Sequence, residues 1–137
     1  MFSIVLPAYN EENSLETYIA DIKSELKNKS IINYEILVVN DGSTDKTLEI
    51  LKKLDIHTVS HNTNKGYGAA LKTGISHAKF DTIIISDVDG TYPPKYIPEL
   101  LEKYNDSKKD NHLGLDMIIG RRTGKFYFGS IYKKFLR

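Results

Sequence analysis

Three short apolar runs, FSIVL (2–6), YEILVVN (34–40) and TIIIS (82–86), are each followed by a polar turn and then by an amphipathic stretch. That alternation limits the folds open to the chain more than any other feature. Short runs of apolar, largely β-branched residues read as buried strands, and Pro7 is expected to close the first of them. In residues 12–27, Leu15, Tyr18, Ile19, Ile22 and Leu26 recur at helical spacing, with Glu11 and Glu12 near the start where the helix dipole favours acids. Leu48, Leu51 and Leu54 give a second helical stripe after NDGST. A weak strand, IHTVSH (56–61), and the polar loop NTNKGYG precede a helix marked by Ala69, Ala70, Leu71, Ile75 and Ala78. Pro93 and Pro94 suit the first turn of a last helix with Ile97, Leu100, Leu101 and Tyr104 on its apolar face. LDMIIG (115–120) predicts a further strand. Strands alternating with such helices imply right-handed crossovers, hence an α/β fold with a mostly parallel central sheet and helices on both faces.

The 137 residues are 40% hydrophobic and 27% charged, the profile of one globular domain, so a single domain over 1–137 is expected. No apolar run approaches the roughly 20 residues needed to span a bilayer. The N-terminus MFSIVLPAYN lacks the basic start and cleavage site of a signal peptide, so a cytoplasmic location is expected. With no cysteine in the chain, any metal must be held by oxygen or histidine. Residues 120–137 carry Arg121, Arg122, Lys125, Lys133, Lys134 and Arg137 without an acidic residue, and this end should attract anions. The same stretch is aromatic and reaches Arg137 with no helix-stop signal, so a continuation beyond it is expected. Phe128, Ile131, Tyr132 and Phe135 share one helical stripe, which reads equally as a peripheral membrane contact or as a packing surface.

In parallel sheets ligands bind beyond the carboxyl ends of the strands. The polar clusters lie there: PAYNEE, NDGSTD, NTNKGYG, SDVDGTYPP and GRR follow the successive strands. Each has an ordinary reading. In NDGSTD, Ser43 or Thr44 can cap the next helix, while Asp41 can instead accept hydrogen bonds from a nucleobase. Pro7 can simply stop a strand, while Tyr9 can line a slot of base size and Glu11 can meet a ribose or base. NKGYGAAL misses the dinucleotide fingerprint, with Leu71 where a third glycine belongs, and on its own is weak. Its glycines make a turn, or let a nucleotide approach the backbone beside Lys65. The histidines at 57, 61, 77 and 112 show no metal-ligand spacing and are read as surface or strand-edge residues. Tyr18, Tyr34 and Tyr104 read as packing.

Asp87 and Asp89 resist the ordinary reading. Two carboxylates one residue apart at a strand end repel each other and add nothing to a core. A divalent cation resolves the conflict, and hard oxygen ligands suit Mg²⁺ or Mn²⁺. Two enzymes could own the pair. A phosphatase of the haloacid dehalogenase type uses a DxDGT nucleophile after an apolar strand, but needs a later acidic pair. Asp106, Asp110 and Asp116 are too scattered to supply one. That reading also leaves the upstream clusters without a role, which favours a nucleotide-sugar transferase.

VLPAYNEE, VVNDGSTDKT, NKGYGAALKTGI, DVDGTYPP and GRRTG stand in the order and approximate spacing of glycosyltransferase family 2, and the chain most resembles its dolichyl-phosphate mannose synthase-like branch. The resemblance covers essentially the whole chain. It implies a Rossmann-like GT-A fold, a UDP- or GDP-linked sugar donor, Mg²⁺ or Mn²⁺, and inversion at the anomeric carbon. By motif, Pro7, Ala8, Tyr9 and Glu11 would surround the base and ribose, Asp41 would contact the base, and Lys65 and Gly68 would lie along the nucleotide. Asp87, Val88 and Asp89 would form the Asp-x-Asp, with Asp89 the more direct metal ligand and Asp87 shared between metal and ribose. GRR resembles the family's Gly-x-Arg and puts Arg122 at phosphate, although Arg121 replaces the usual small middle residue. The expected acceptor is a polyprenyl phosphate; a saccharide hydroxyl in polysaccharide synthesis is the alternative. A non-catalytic nucleotide-binding module and a membrane adaptor using only the basic tail are further readings, and the adaptor gives the Asp pair no role. Nucleic acid is not an expected partner.

Overall fold

The structure is a computed structural model and describes residues 1–109 and 116–120. Four parallel strands, β1 (Phe2–Ala8), β2 (Tyr34–Asn40), β3 (His57–Ser60) and β4 (Ile83–Ile85), form one sheet in the order β3-β2-β1-β4. Between them run α1 (Leu15–Asn28), α2 (Thr47–Leu54) and α3 (Tyr67–His77). After β4 a 3₁₀ turn at Pro94–Tyr96 leads into α4 (Ile97–Lys109). The order of strands and helices follows the sequence pattern as far as α4.

Every residue of β1 is buried, as a strand covered on both faces should be. Phe2, Ile4, Leu6 and Ala8 join Leu15, Tyr18, Ile19, Ile22 and Leu26 of α1, Leu51 of α2 and Ile97 of α4 in the main core. On the other face α3 lies against β1 and β2 through Ala70 and Gly74. A Cβ on Gly74 would fall 2.3 Å from Val5 Cγ1 and 3.1 Å from Val39 Cγ2. The small residue therefore sets how closely the helix approaches. Ile75 is 46% exposed, because the helix packs through Ala70 and Gly74.

Three expectations are corrected. Pro7 does not close β1, which continues to Ala8 with Pro7 in register with Val39. The Ser3 amide points to the Thr82 carbonyl on the β4 side, so by alternation Pro7 turns its missing donor to that same side, where β4 has already ended at Ile85. A proline there forfeits no ladder bond. The run 82–86 forms only the three-residue edge strand β4, with Ile85 46% exposed. Within LDMIIG, residues 116–120 carry no strand, and Met117 and Ile119 are exposed. An apolar run becomes a strand only where a neighbour offers a ladder, and none pairs with it among the described residues.

Candidate active site

Because all four strands are parallel, the segments following β1, β2, β3 and β4 emerge at one edge of the sheet. The first two are clasped together. The Asn10 amide donates to Ser43 Oγ at 3.0 Å, and Asn10 Oδ1 accepts the Thr44 amide at 2.8 Å. The Glu11 amide donates to Thr47 Oγ1 at 2.8 Å and the Glu12 amide to Asp45 Oδ2 at 3.1 Å, while Glu12 Oε2 accepts the Lys46 amide at 3.0 Å. Ser43 and Thr44 thus serve the neighbouring loop and do not cap α2. Asp45 Oδ1 accepts the Thr47 amide at 2.9 Å in the turn just ahead of α2, whose N-cap, Lys46, makes no side-chain bond to the helix. Pro7 and Ala8 are buried at the end of β1, Tyr9 is 44% exposed just beyond, and Glu11 is half-buried ahead of α1.

Asp41 is 3% exposed, directly after β2. Its Oδ1 accepts His61 Nδ1–H at 2.6 Å and the Lys65 amide at 2.9 Å, and its Oδ2 accepts the Gly66 amide at 2.8 Å. Burial pushes this carboxyl up, but the bonds from His61, Lys65 and Gly66 outweigh it and hold the group below its ordinary value. With about four lone-pair positions on a carboxylate, one on Oδ2 is left for a further donor. Gly42, at φ +70°, closes the same corner: a Cβ there would fall 2.3 Å from the Thr63 carbonyl carbon. His61 is therefore no surface residue. Its side chain is 7% exposed, and its Nε2 meets Thr73 Oγ1 of α3 at 2.9 Å. His57, paired with Glu35, and His77 are exposed as expected, and His112 lies outside the described residues. Nothing in the spacing of His61 distinguished it; only the meeting of β2, β3 and α3 does.

Lys65 is exposed, Gly66 adopts φ +88°, and Gly68 sits in the first turn of α3. A Cβ on Gly66 or Gly68 would meet nothing within 4 Å, so the backbone there is open to close approach. It leads into a helix N-terminus, where amides and dipole favour anions.

Beyond β4, Val88 is 2% exposed and anchored in the main core, while half-buried Asp87 and exposed Asp89 flank it. Asp89 Oδ1 accepts the Thr91 amide at 2.8 Å. Tyr18, read from the sequence as packing, holds both ends of this turn. Its hydroxyl lies 2.6 Å from Ser86 Oγ and 2.6 Å from the Tyr92 carbonyl. A phenol has one proton, which goes to the carbonyl, so Ser86 donates to Tyr18. Burial pushes the phenol's pKa up; the Ser86 bond opposes this, and the Asp87 and Asp89 charges add to it. The group stays a neutral donor.

Among the described residues, no group of three or more His, Cys, Asp or Glu side chains could hold a metal. Two neighbouring carboxylates on a turn still fit Mg²⁺ or Mn²⁺, which commonly take one or two carboxylates and complete their shell with phosphate oxygens and water. Arg121 and Arg122 lie outside the described residues. A hollow of about 320 Å³ lined by Glu35, His57 and Lys79 lies at the opposite, amino-terminal edge of the strands and gathers none of these groups.

The model of glycosyl transferase family 2 matches residues 3–135. The chain is 31% identical to a dolichol-phosphate mannosyltransferase of Pyrococcus furiosus, over 98% of this chain and 37% of that protein. It is 37% identical to an undecaprenyl-phosphate 4-deoxy-4-formamido-L-arabinose transferase of Salmonella choleraesuis, over 90% of this chain and 44% of that protein. It thus spans well under half the length of these curated relatives. Its fold is similar to that of a Pyrobaculum calidifontis mannosyltransferase solved with GDP-Man and Mn²⁺ (TM-score 0.64, 22% identity, 80% of this chain and 32% of that one). It is also similar to Mycobacterium tuberculosis glucosyl-3-phosphoglycerate synthase solved with Mn²⁺, UDP and glucosyl-3-phosphoglycerate (TM-score 0.62, 27% identity, 74% of this chain and 38% of that one). With its GT-A fold and a family match spanning nearly its whole length, the chain belongs to glycosyl transferase family 2.

Proposed function

We propose that residues 1–137 form the nucleotide-sugar-binding part of a single GT-A catalytic domain, which moves a hexosyl group with inversion from a UDP- or GDP-sugar to a polyprenyl phosphate. The observation that carries this reading is the Asp87-Val88-Asp89 turn, set on a buried valine at the sheet edge from which the Tyr9, Asp41 and Lys65 segments also emerge. The names of the relatives, which specify dolichol phosphate and undecaprenyl phosphate, support the acceptor. The bound GDP-Man, UDP and Mn²⁺ of the structural neighbours support the donor and metal.

Pro7, Ala8, Tyr9 and Glu11 border the nucleoside, and Asp41 offers its remaining Oδ2 lone pair to a base N–H. Lys65 and the open backbone at Gly68 lie along the diphosphate. Asp87 and Asp89 hold Mg²⁺ or Mn²⁺, which when bound supplies positive charge to the departing diphosphate. Arg122 adds a cation with paired donors that a phosphate can accept. An acceptor phosphate oxygen forms a bond to the anomeric carbon as the bond to the donor diphosphate breaks on the opposite side. A phosphate is already ionised near neutral pH, so the acceptor requires no carboxylate base. No helix among the described residues is long and apolar enough to cross a membrane. The cations and aromatic residues of 120–137 support this stretch as an approach to the lipid acceptor at the cytoplasmic face.

Radiolabelled UDP-hexose and GDP-hexose, offered with Mn²⁺ and either undecaprenyl phosphate or a soluble oligosaccharide, test this reading. The expected product is extractable into organic solvent and has the anomeric configuration opposite to the donor's. Label transferred only to the soluble acceptor would overturn the acceptor assignment.

A further inference from the structure

We infer that His61 is a positioning residue for nucleotide binding: it fixes the Asp41 carboxylate, and through it the Lys65–Gly66 turn, in the conformation that receives the nucleoside. This rests on the nucleotide-sugar reading above. His61 has a partner at each ring nitrogen, Asp41 Oδ1 at 2.6 Å and Thr73 Oγ1 at 2.9 Å. An ionised carboxylate only accepts, so Nδ1 carries the proton and donates. The Thr73 hydroxyl can rotate to donate to Nε2 or to accept from it, so the ring is satisfied in either charge state. The His61 amide donates to the Asn40 carbonyl at 2.9 Å, which fixes the backbone at the base of the ring.

The ring thus joins the end of β3 to the end of β2 and to α3. Asp41 in turn holds the Lys65 and Gly66 amides at 2.9 and 2.8 Å. Without His61, the Asp41 carboxylate keeps only the two amides of a turn whose own position depends on it. The side-chain torsion that aims the free Oδ2 position would then be held by those two amides alone.

Two substitutions separate positioning from bulk. His61→Asn places an amide nitrogen where Nδ1 stands and keeps the donor to Asp41; His61→Leu fills the space without one. In the ligand-free chain, hydrogen exchange at the Lys65 and Gly66 amides is expected to quicken in His61→Leu and to stay close to wild type in His61→Asn. With Mn²⁺ present, His61→Leu is expected to weaken UDP or GDP binding about tenfold, the scale of one buried hydrogen bond to a charged group. Pyrophosphate binding with Mn²⁺ should fall by less, because the turn at Lys65 is loosened while Asp87 and Asp89 are untouched, and His61→Asn should recover most of the nucleotide affinity. Unaltered amide exchange in His61→Leu, or equal losses for pyrophosphate and nucleotide, would overturn the role. If His61→Leu lacks a cooperative unfolding transition, Thr73→Val, which removes only the outer bond, is read in the same way. Failure of the wild type to bind UDP or GDP would contradict the nucleotide-sugar reading, while the exchange measurement would still decide whether His61 holds the turn.

Discussion

The Tyr18 hydroxyl lies 2.6 Å from Ser86 Oγ, across 68 positions of sequence, and ties helix α1 to the first residue of the turn that carries Asp87 and Asp89. The same oxygen reaches the Tyr92 carbonyl on the far side of that turn. Two carboxylates that repel each other are thereby held on a loop fixed at both ends and pinned in the middle by Val88. Removing the hydroxyl with Tyr18→Phe leaves the ring volume in place. The expected cost is about 1 to 3 kcal/mol, since Ser86 loses its buried acceptor and Tyr92 loses this donor. Urea denaturation measures it. The Mn²⁺-dependent part of nucleoside diphosphate affinity should fall alongside, with metal-free affinity little changed.

Gly74 seats α3 on β1 and β2. Gly74→Ala would force a methyl to within 2.3 Å of Val5 Cγ1, and Val5 is fully buried on the inner strand β1. Overpacking of this kind costs about 1 to 3 kcal/mol. Equilibrium unfolding should show a lower midpoint with an unchanged slope. Because α3 starts at the Lys65–Gly68 segment, nucleotide affinity should also decline.

Acid should weaken the fold through three named carboxyls. At Asp41, Asp45 and Glu35, burial pushes the pKa up but is outweighed by donors: His61, Lys65 and Gly66 for the first, Thr47 and Glu12 for the second, Lys79, Ser3 and His57 for the third. Each therefore titrates lower in the folded chain than in the unfolded one. Their stabilisation is fully present above the unfolded values of about 4 and is lost as pH falls through the folded values. Denaturation midpoints followed from pH 6 downward should drop steeply below about pH 4. Asp41→Asn should lower stability at neutral pH and flatten that drop.

The parts of the fold that repeat along the chain were legible in the sequence. Leu15, Tyr18, Ile19, Ile22 and Leu26 are all buried, as their spacing predicts, and YEILVVN spans the whole of β2. What was not legible depends on partners distant in sequence. Gly74 looks like a weak point in a helix until Val5 and Val39 are seen beneath it. His61 looks like an exposed strand-end residue until Asp41 and Thr73 are brought to its two nitrogens. Ser43 and Thr44 do not cap α2, because Asn10, more than thirty positions away, occupies both side chains. LDMIIG carried a strand-like pattern, but 116–120 find no ladder among the described residues. The motif segments stood out because turn residues cluster at strand ends. Their supports, Tyr18 and His61, were missed because a single buried polar contact leaves no periodic trace.

The most direct test of the account is the Mn²⁺ dependence of nucleoside diphosphate affinity in the wild type and in Asp89→Asn, measured by titration calorimetry with UDP and GDP in the presence of Mn²⁺ or of EDTA. The substitution keeps the size of the side chain and removes its charge. Mn²⁺ is expected to strengthen binding of one of the two nucleotides to the wild type, and Asp89→Asn to lose most of that gain while its EDTA affinity stays the same. Mn²⁺-dependent affinity left intact in Asp89→Asn would contradict the assignment of the Asp87-Asp89 turn as the metal and diphosphate site.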